Sequence, residues 1–119
     1  MEQISIKQRE ILLVPFPFSD QSGKKVRPVA VISNNKFNEF SSDVITMGIT
    51  SNIMKDIYTI PLSNEDLEEG HLFDECRIKA ENILKIDQDL IIKKIGRINK
   101  KKFIETVSIL GSIIKLDNL

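Results

Sequence analysis

Arg27 is followed directly by Pro28, and the pair closes a polar stretch, "SDQSGKK", that carries Lys24 and Lys25. Further along, an apolar run ends in Thr50-Ser51. A guanidinium offers a planar fork of donors that matches phosphate oxygens, and lysines add mobile positive charge around it. A proline pushes the residue before it out of the α region, so Arg27 is expected to stand extended at the mouth of a strand. Arginine, lysines and a hydroxyl together make a set suited to binding a phosphate. The same residues also describe a solvated hairpin tip whose charges serve solubility.

Other chemistries have less to build on. His71 is the only histidine, which excludes a pair of histidines acting as acid and base within one chain, and it is read as a surface or structural residue. The acidic residues Glu65, Asp66, Glu68, Glu69, Asp74 and Glu75 gather near one turn and are expected to form a solvated helical face, so no metal site is expected. Cys76 is the single cysteine, leaving no disulfide and no cysteine-rich zinc site, and is read as a buried strand position.

The elements that must position these residues are short and β-branched. Apolar runs bounded by turn residues cover 11–16, 28–33, 44–49, 57–62, 76–79, 83–86 and 91–98. Their close spacing suits hairpins rather than the helical crossovers of a parallel sheet. Pro15 and Pro17 lack N–H groups on the same side of the first strand, so pairing on that edge must stop there. From Asn99, a plausible N-cap, Phe103, Val107, Leu110 and Ile114 recur on one face of a closing helix. Gly111 inside that helix suggests a close packing contact. A shorter helix is expected through "SNEDLEEG", capped by Ser63 and ended by Gly70.

Bulk properties set the scale. The 119 residues suit one domain, 1–119, with one modest core. Hydrophobic residues at 41% and charged residues at 29% describe an ordinary globular chain. Basic and acidic residues cancel at 17 each, so net charge gives no reason for nucleic-acid or membrane binding and only its distribution is informative. The start "MEQISIKQRE" has no signal-peptide core and no stretch approaches a membrane span, so a cytoplasmic location is expected.

The pattern "ILLVPFPFSD…KKVRPVAVIS" followed by "DVITMGITSN" resembles the MazF/PemK-like family of toxin endoribonucleases. Arg27-Pro28 matches the family's Arg-Pro element and Ile49-Thr50-Ser51 its Ile-Thr-Ser element. The segments "ECRIKAENILKID" and "IIKKIGRINKKKFIETV" resemble the later strands and the last helix, so the likeness spans nearly the whole chain. Three departures stand out: Arg9-Glu10 where Gly-Asp is usual, Cys76 where serine is common, and Glu81-Asn82 where Asp-Gln is common. The resemblance implies a mostly β fold, a small SH3-like β-barrel of the PemK/CcdB type with a C-terminal α-helix. It further implies a homodimer that cleaves single-stranded RNA without metal or other cofactor and is inhibited by a cognate antitoxin.

On that resemblance Arg27 and Thr50 are the catalytic candidates. Phe18, Ser19, Gln21, Lys24, Lys25, Ser51 and Asn82 are the substrate-binding candidates. The chemistry is feasible, because the 2′-hydroxyl of RNA can attack its own phosphate and needs only orientation, proton transfer and charge stabilisation. Neither a guanidinium nor a threonine hydroxyl is a good base, and that role stays unassigned. Two alternatives remain open: a non-enzymatic toxin that binds DNA gyrase, as CcdB-like proteins do, and a catalytically idle module that binds RNA or antitoxin.

Overall fold

The computed structural model describes residues 5–16 and 25–118. Seven strands form one sheet: β1 Glu10–Phe16, β2 Lys25–Val31, β3 Asp43–Thr50, β4 Thr59–Leu62, β5 Leu67–Gly70, β6 Cys76–Asp87 and β7 Lys93–Ile98. The order across the sheet is β4-β6-β3-β2-β1-β7-β5, and every neighbouring pair is antiparallel. Two helices are added, α1 Asn35–Phe40 and α2 Lys100–Ile113. This is the expected class, mostly β with a C-terminal helix, and the sheet curls as a half-barrel.

Strand alternation divides the apolar residues between two clusters. Ile11, Ala30, Met47, Ile49, Ile60, Leu62 and Ile78 bury on one face, where Ile109 and Leu110 of α2 close over them. Leu12, Val14, Val29, Val31 and Val44 bury on the other, with Ile6 beside them. Neither face of the central strands is open to water, which is why their runs read as continuously apolar rather than alternating.

The prolines set where pairing stops. Leu13 accepts from Ile92 N–H at 2.9 Å, so odd-numbered residues of β1 turn their backbone groups toward β7. Pro15 has none to offer there, and the β1–β7 ladder ends at Leu13↔Lys93 while β1–β2 pairing runs on to Phe16↔Lys25. The same logic holds one strand over. Ile32 donates to Ile45 O at 2.9 Å, so even-numbered residues at β2 face β3, and Pro28 again has no donor. The β2–β3 ladder therefore ends at Val29↔Gly48.

Several expectations give way to tertiary context. The two runs 76–79 and 83–86 are one strand, β6, bent where Met47↔Ile83 jumps to Ile49↔Ile78. The "SNEDLEEG" segment is a single 3₁₀ turn at Asn64–Asp66, closed by a Ser63–Asp66 capping box, and then the edge strand β5. α2 begins as expected, with Asn99 Oδ1 accepting from Lys102 N at 2.8 Å, but its inward face is centred on Thr106, Ile109 and Leu110, leaving Val107 and Ile114 exposed. A side chain at Gly111 would meet nothing within 4 Å, so no close contact explains that glycine. α1 had no periodic signal; Asn34 caps it by accepting from Phe37 N at 2.9 Å.

The charge segregated along the sequence is brought together in space. Glu10, only 2% exposed, receives Lys94 Nζ at 3.2 Å and Arg97 Nη2 at 3.4 Å, and accepts from Lys7 N at 2.8 Å. Glu69 of β5 meets Lys94 at 3.2 Å and Arg97 at 3.4 Å. The Lys94 hydrogen bond and the Arg97 charge hold the Glu69 carboxyl below its ordinary range. Lys102 has its side chain only 13% exposed and lies 3.8 Å from Asp66 and 3.2 Å from Glu105. The acidic residues are mostly exposed, as expected, but Asp66, Glu68 and Glu69 also pair with cations of α2, Arg9 and β7.

Arg9 has φ 77°, a left-handed conformation that glycine adopts without cost. Its guanidinium bonds Glu68 at 2.5 Å and Ile98 O at 2.8 Å, which offsets the strain. The Glu10 site carries the larger stake. Glu10→Ala leaves two cations and a backbone donor without their buried acceptor and is expected to lower stability by about 3 kcal/mol, read from urea unfolding.

Candidate active site

Where β2 and β3 part, their register still determines what faces what. Val29 pairs with Gly48, and continuing that antiparallel register by two residues sets Arg27 opposite Thr50. Pro28 thus has two effects: it ends the ladder and it holds the arginine extended beside the threonine. Both residues line a cavity of about 420 Å³, together with Ser51. Its floor includes Leu13, Ile49, Leu72 and Ile95, and its rim includes Lys93, His71, Phe73, Asp74 and Glu75.

The Thr50 hydroxyl accepts from Asn52 N–H at 3.1 Å. That is the local backbone role open to any strand-end threonine, and it fixes the oxygen while leaving the hydroxyl proton to be donated. Arg27 is exposed, and its side chain sits on the cavity wall with donors that no other lining residue but Lys93 can match in charge. An anion entering here meets a guanidinium, an ammonium and a hydroxyl.

Cys76 closes the inner end of the cavity and is buried. Burial pushes its thiol up to about 11, so at neutral pH it is a neutral group with a weak contact to Leu62 O at 3.7 Å. At pH 8 a thiol titrating near 11 instead of near 9 has ~100-fold less thiolate. DTNB labelling of the folded protein is therefore expected to be slower by about that factor than labelling in denaturant.

The sequence-chosen residues divide into three groups. Arg27, Thr50 and Ser51 meet at the cavity. Lys25 is exposed at the start of β2 and Asn82 lies against Gly48, so neither lines it; a Cβ at Gly48 would come within 2.4 Å of Asn82 Nδ2. Phe18, Ser19, Gln21 and Lys24 fall outside the described residues. What sequence reasoning missed is the far rim, His71 and Phe73, because it reaches the cavity only through the pairing of β5 with β7. Among the described residues, no three His, Cys, Asp or Glu side chains are grouped so as to hold a metal ion. No helix there is long and apolar enough to cross a membrane.

Solved structures share this fold at low identity. A mycobacterial endoribonuclease superposes with a TM-score of 0.75 and 15% identity, covering 100% of both chains. An endoribonuclease in complex with its cognate antitoxin, also mycobacterial, gives 0.73 and 15%, covering 97% of this chain and 98% of that one. MazF from Deinococcus radiodurans gives 0.75 and 16%, covering 95% and 99%. No curated protein matches the sequence. A family model, that of the PemK-like, MazF-like toxin of type II toxin-antitoxin systems, matches residues 7–114 and so takes in every strand and both helices. With the Arg-Pro and Thr-Ser elements meeting at one cavity in that frame, the chain belongs to the PemK-like, MazF-like toxin family of type II toxin-antitoxin systems.

Proposed function

We propose that this toxin is an endoribonuclease that cleaves single-stranded RNA, with Arg27 and Thr50 as its catalytic pair. The observation that carries the reading is their meeting at one cavity, opposite each other by register, where Pro28 has ended the ladder. Membership of the toxin family and the likeness to structures described as endoribonucleases support it.

In this reading Arg27 grips the scissile phosphate through its guanidinium fork and neutralises the charge that grows on the non-bridging oxygens. Thr50, its oxygen held by Asn52, donates its hydroxyl proton to the same phosphate. The 2′-hydroxyl of the substrate attacks phosphorus and gives up its proton to solvent water, the bond to the 5′-oxygen breaks, and that oxygen takes up a proton from water. The products are a 2′,3′-cyclic phosphate and a 5′-hydroxyl. Metal is not needed, because the nucleophile belongs to the RNA and the positive charge to Arg27. Lys25 and Ser51 serve the strand on either side, with Phe18, Ser19, Gln21, Lys24 and Asn82 contributing to its sequence preference.

The same reading makes the chain a single domain acting in the cytoplasm, where mRNA is met, as a homodimer held by a cognate antitoxin. Exposed Ile104, Val107 and Ile114 on the outer side of α2 suit an apolar contact. The test is incubation of antitoxin-free protein with RNA in EDTA. Discrete cleavage is expected; an intact substrate with folded protein refutes the reading in favour of a gyrase-binding or RNA-sequestering toxin.

A further inference from the structure

The segment between β5 and β6 holds two aromatic rings out in solvent on an anchored backbone. Gly70 turns the chain at φ 86°, and Leu72 then plunges into the core at 7% exposure. The Asn64 carboxamide clamps Leu72 from both sides, accepting from its N–H at 2.6 Å and donating to its carbonyl at 3.1 Å. Leu72 turns inward while its neighbours His71 and Phe73 are exposed. Their rings meet edge to face, with centroids 6.2 Å apart and planes at 85°.

Phe73 is 97% exposed, the highest value among the large apolar side chains described. A single exposed apolar residue is ordinary, but this ring lines the same cavity as Arg27 and Thr50 and follows a residue whose backbone is pinned. Such a ring is open to a flat partner on its face. The charges around the cavity sort by segment. Arg27 and Lys93 bring positive charge from β2 and β7, whereas the aromatic segment brings the carboxylates Asp74 and Glu75. Carboxylates repel phosphate and accept from the amino and ring N–H groups of bases.

We propose that His71 and Phe73 form a stacking platform for one unpaired base of the RNA whose scissile phosphate lies at Arg27 and Thr50. The proposal rests on the ribonuclease reading for the position of that phosphate. Every base has a π face, so the platform contributes affinity to any sequence. Asp74 and Glu75 then favour bases that carry an exocyclic amino group, namely adenine, cytosine and guanine, over uracil, which offers only its N3–H.

Fluorescence anisotropy with 2′-O-methyl oligonucleotides tests this independently of catalysis, since these strands bind but lack the attacking hydroxyl. Phe73→Ala is expected to weaken binding roughly tenfold and Phe73→Trp to preserve it. An oligonucleotide scanned with abasic positions should contain one position whose loss weakens wild-type binding and adds nothing to the defect of Phe73→Ala. On cleavable RNA the Phe73→Ala defect should fall on KM. Unchanged affinity of Phe73→Ala and of the His71→Ala/Phe73→Ala double variant overturns the platform. Failure of the wild type to cut RNA would instead refute the catalytic reading, while the affinity comparison still decides for or against the platform.

Discussion

Arg27→Ala is expected to lower kcat/KM for RNA cleavage by about 10³-fold or more, while the melting temperature changes little. The size follows from what the site contains. Removal of one donor aimed at a developing oxyanion typically costs about 10²–10³-fold. Arg27 lines this cavity, and in the proposed mechanism it also binds the ground-state phosphate, so both binding and the chemical step are expected to suffer. Its exposure keeps the effect on folding small. Arg27→Lys restores charge but not the bidentate geometry, so partial rescue of binding with little rescue of kcat is expected. Activity within a few-fold of wild type in Arg27→Ala would refute the role.

Gly70→Ala is expected to be the most damaging small substitution in the described part of the sheet. The residue sits at φ 86°, which costs an L-amino acid about 1–2 kcal/mol by itself. A Cβ there would also stand 2.1 Å from Ile95 O and 2.4 Å from Gly96 Cα, and backbone cannot swing aside as a side chain would. The β5–β7 pairing must open or shift, so a loss of about 3 kcal/mol or more is expected in urea unfolding. RNA affinity should fall in the same variant, because His71 and Phe73 follow directly on the displaced strand. Gly111→Ala is its control, since a Cβ there meets nothing within 4 Å and should be neutral or stabilising.

Much of this was readable in the chain because the relevant signals are local. Pro15 and Pro28 act through their own missing N–H groups, and the ladders end beside them on the sides that strand parity requires. Asn99 caps α2 through its own side chain three residues ahead. The rest depends on contacts distant in sequence. β6 looked like two strands because its middle is polar, yet Ala80 N–H still donates to Tyr58 O at 3.0 Å and carries the strand through the bend. The α2 face was misjudged because Thr106 buries by returning its hydroxyl to Lys102 O at 2.8 Å, so a polar residue sits at the centre of the apolar contact. The ion pairs of Asp66, Glu68 and Glu69 were not legible because their cations, Arg9, Lys94, Arg97 and Lys102, come from the two ends of the sequence.

The site shows the same division. Arg27 and Thr50 could be chosen from their motifs, and both line one cavity where the β2–β3 ladder ends. His71 gave no sign of belonging with them. It reaches the cavity because β5 pairs with β7 at the opposite end of the sheet order from β4, and the sheet curls until that end approaches the β2–β3 parting. Arg9 is a comparable case: a residue type that disfavours the left-handed region holds it through Glu68 and Ile98, partners that no local rule names.

The most direct test of the Arg27–Thr50 chemistry is cleavage, in EDTA, of an RNA oligonucleotide spanning a mapped cut site, beside the same strand with a 2′-deoxyribose at the nucleotide 5′ to the cut. The all-ribose strand should yield a 2′,3′-cyclic phosphate and a 5′-hydroxyl, and the substituted strand should stay intact. Cutting of the deoxy-substituted strand at the same bond, or a 5′-phosphate on the product, would contradict attack by the 2′-hydroxyl and with it the assigned roles of Arg27 and Thr50.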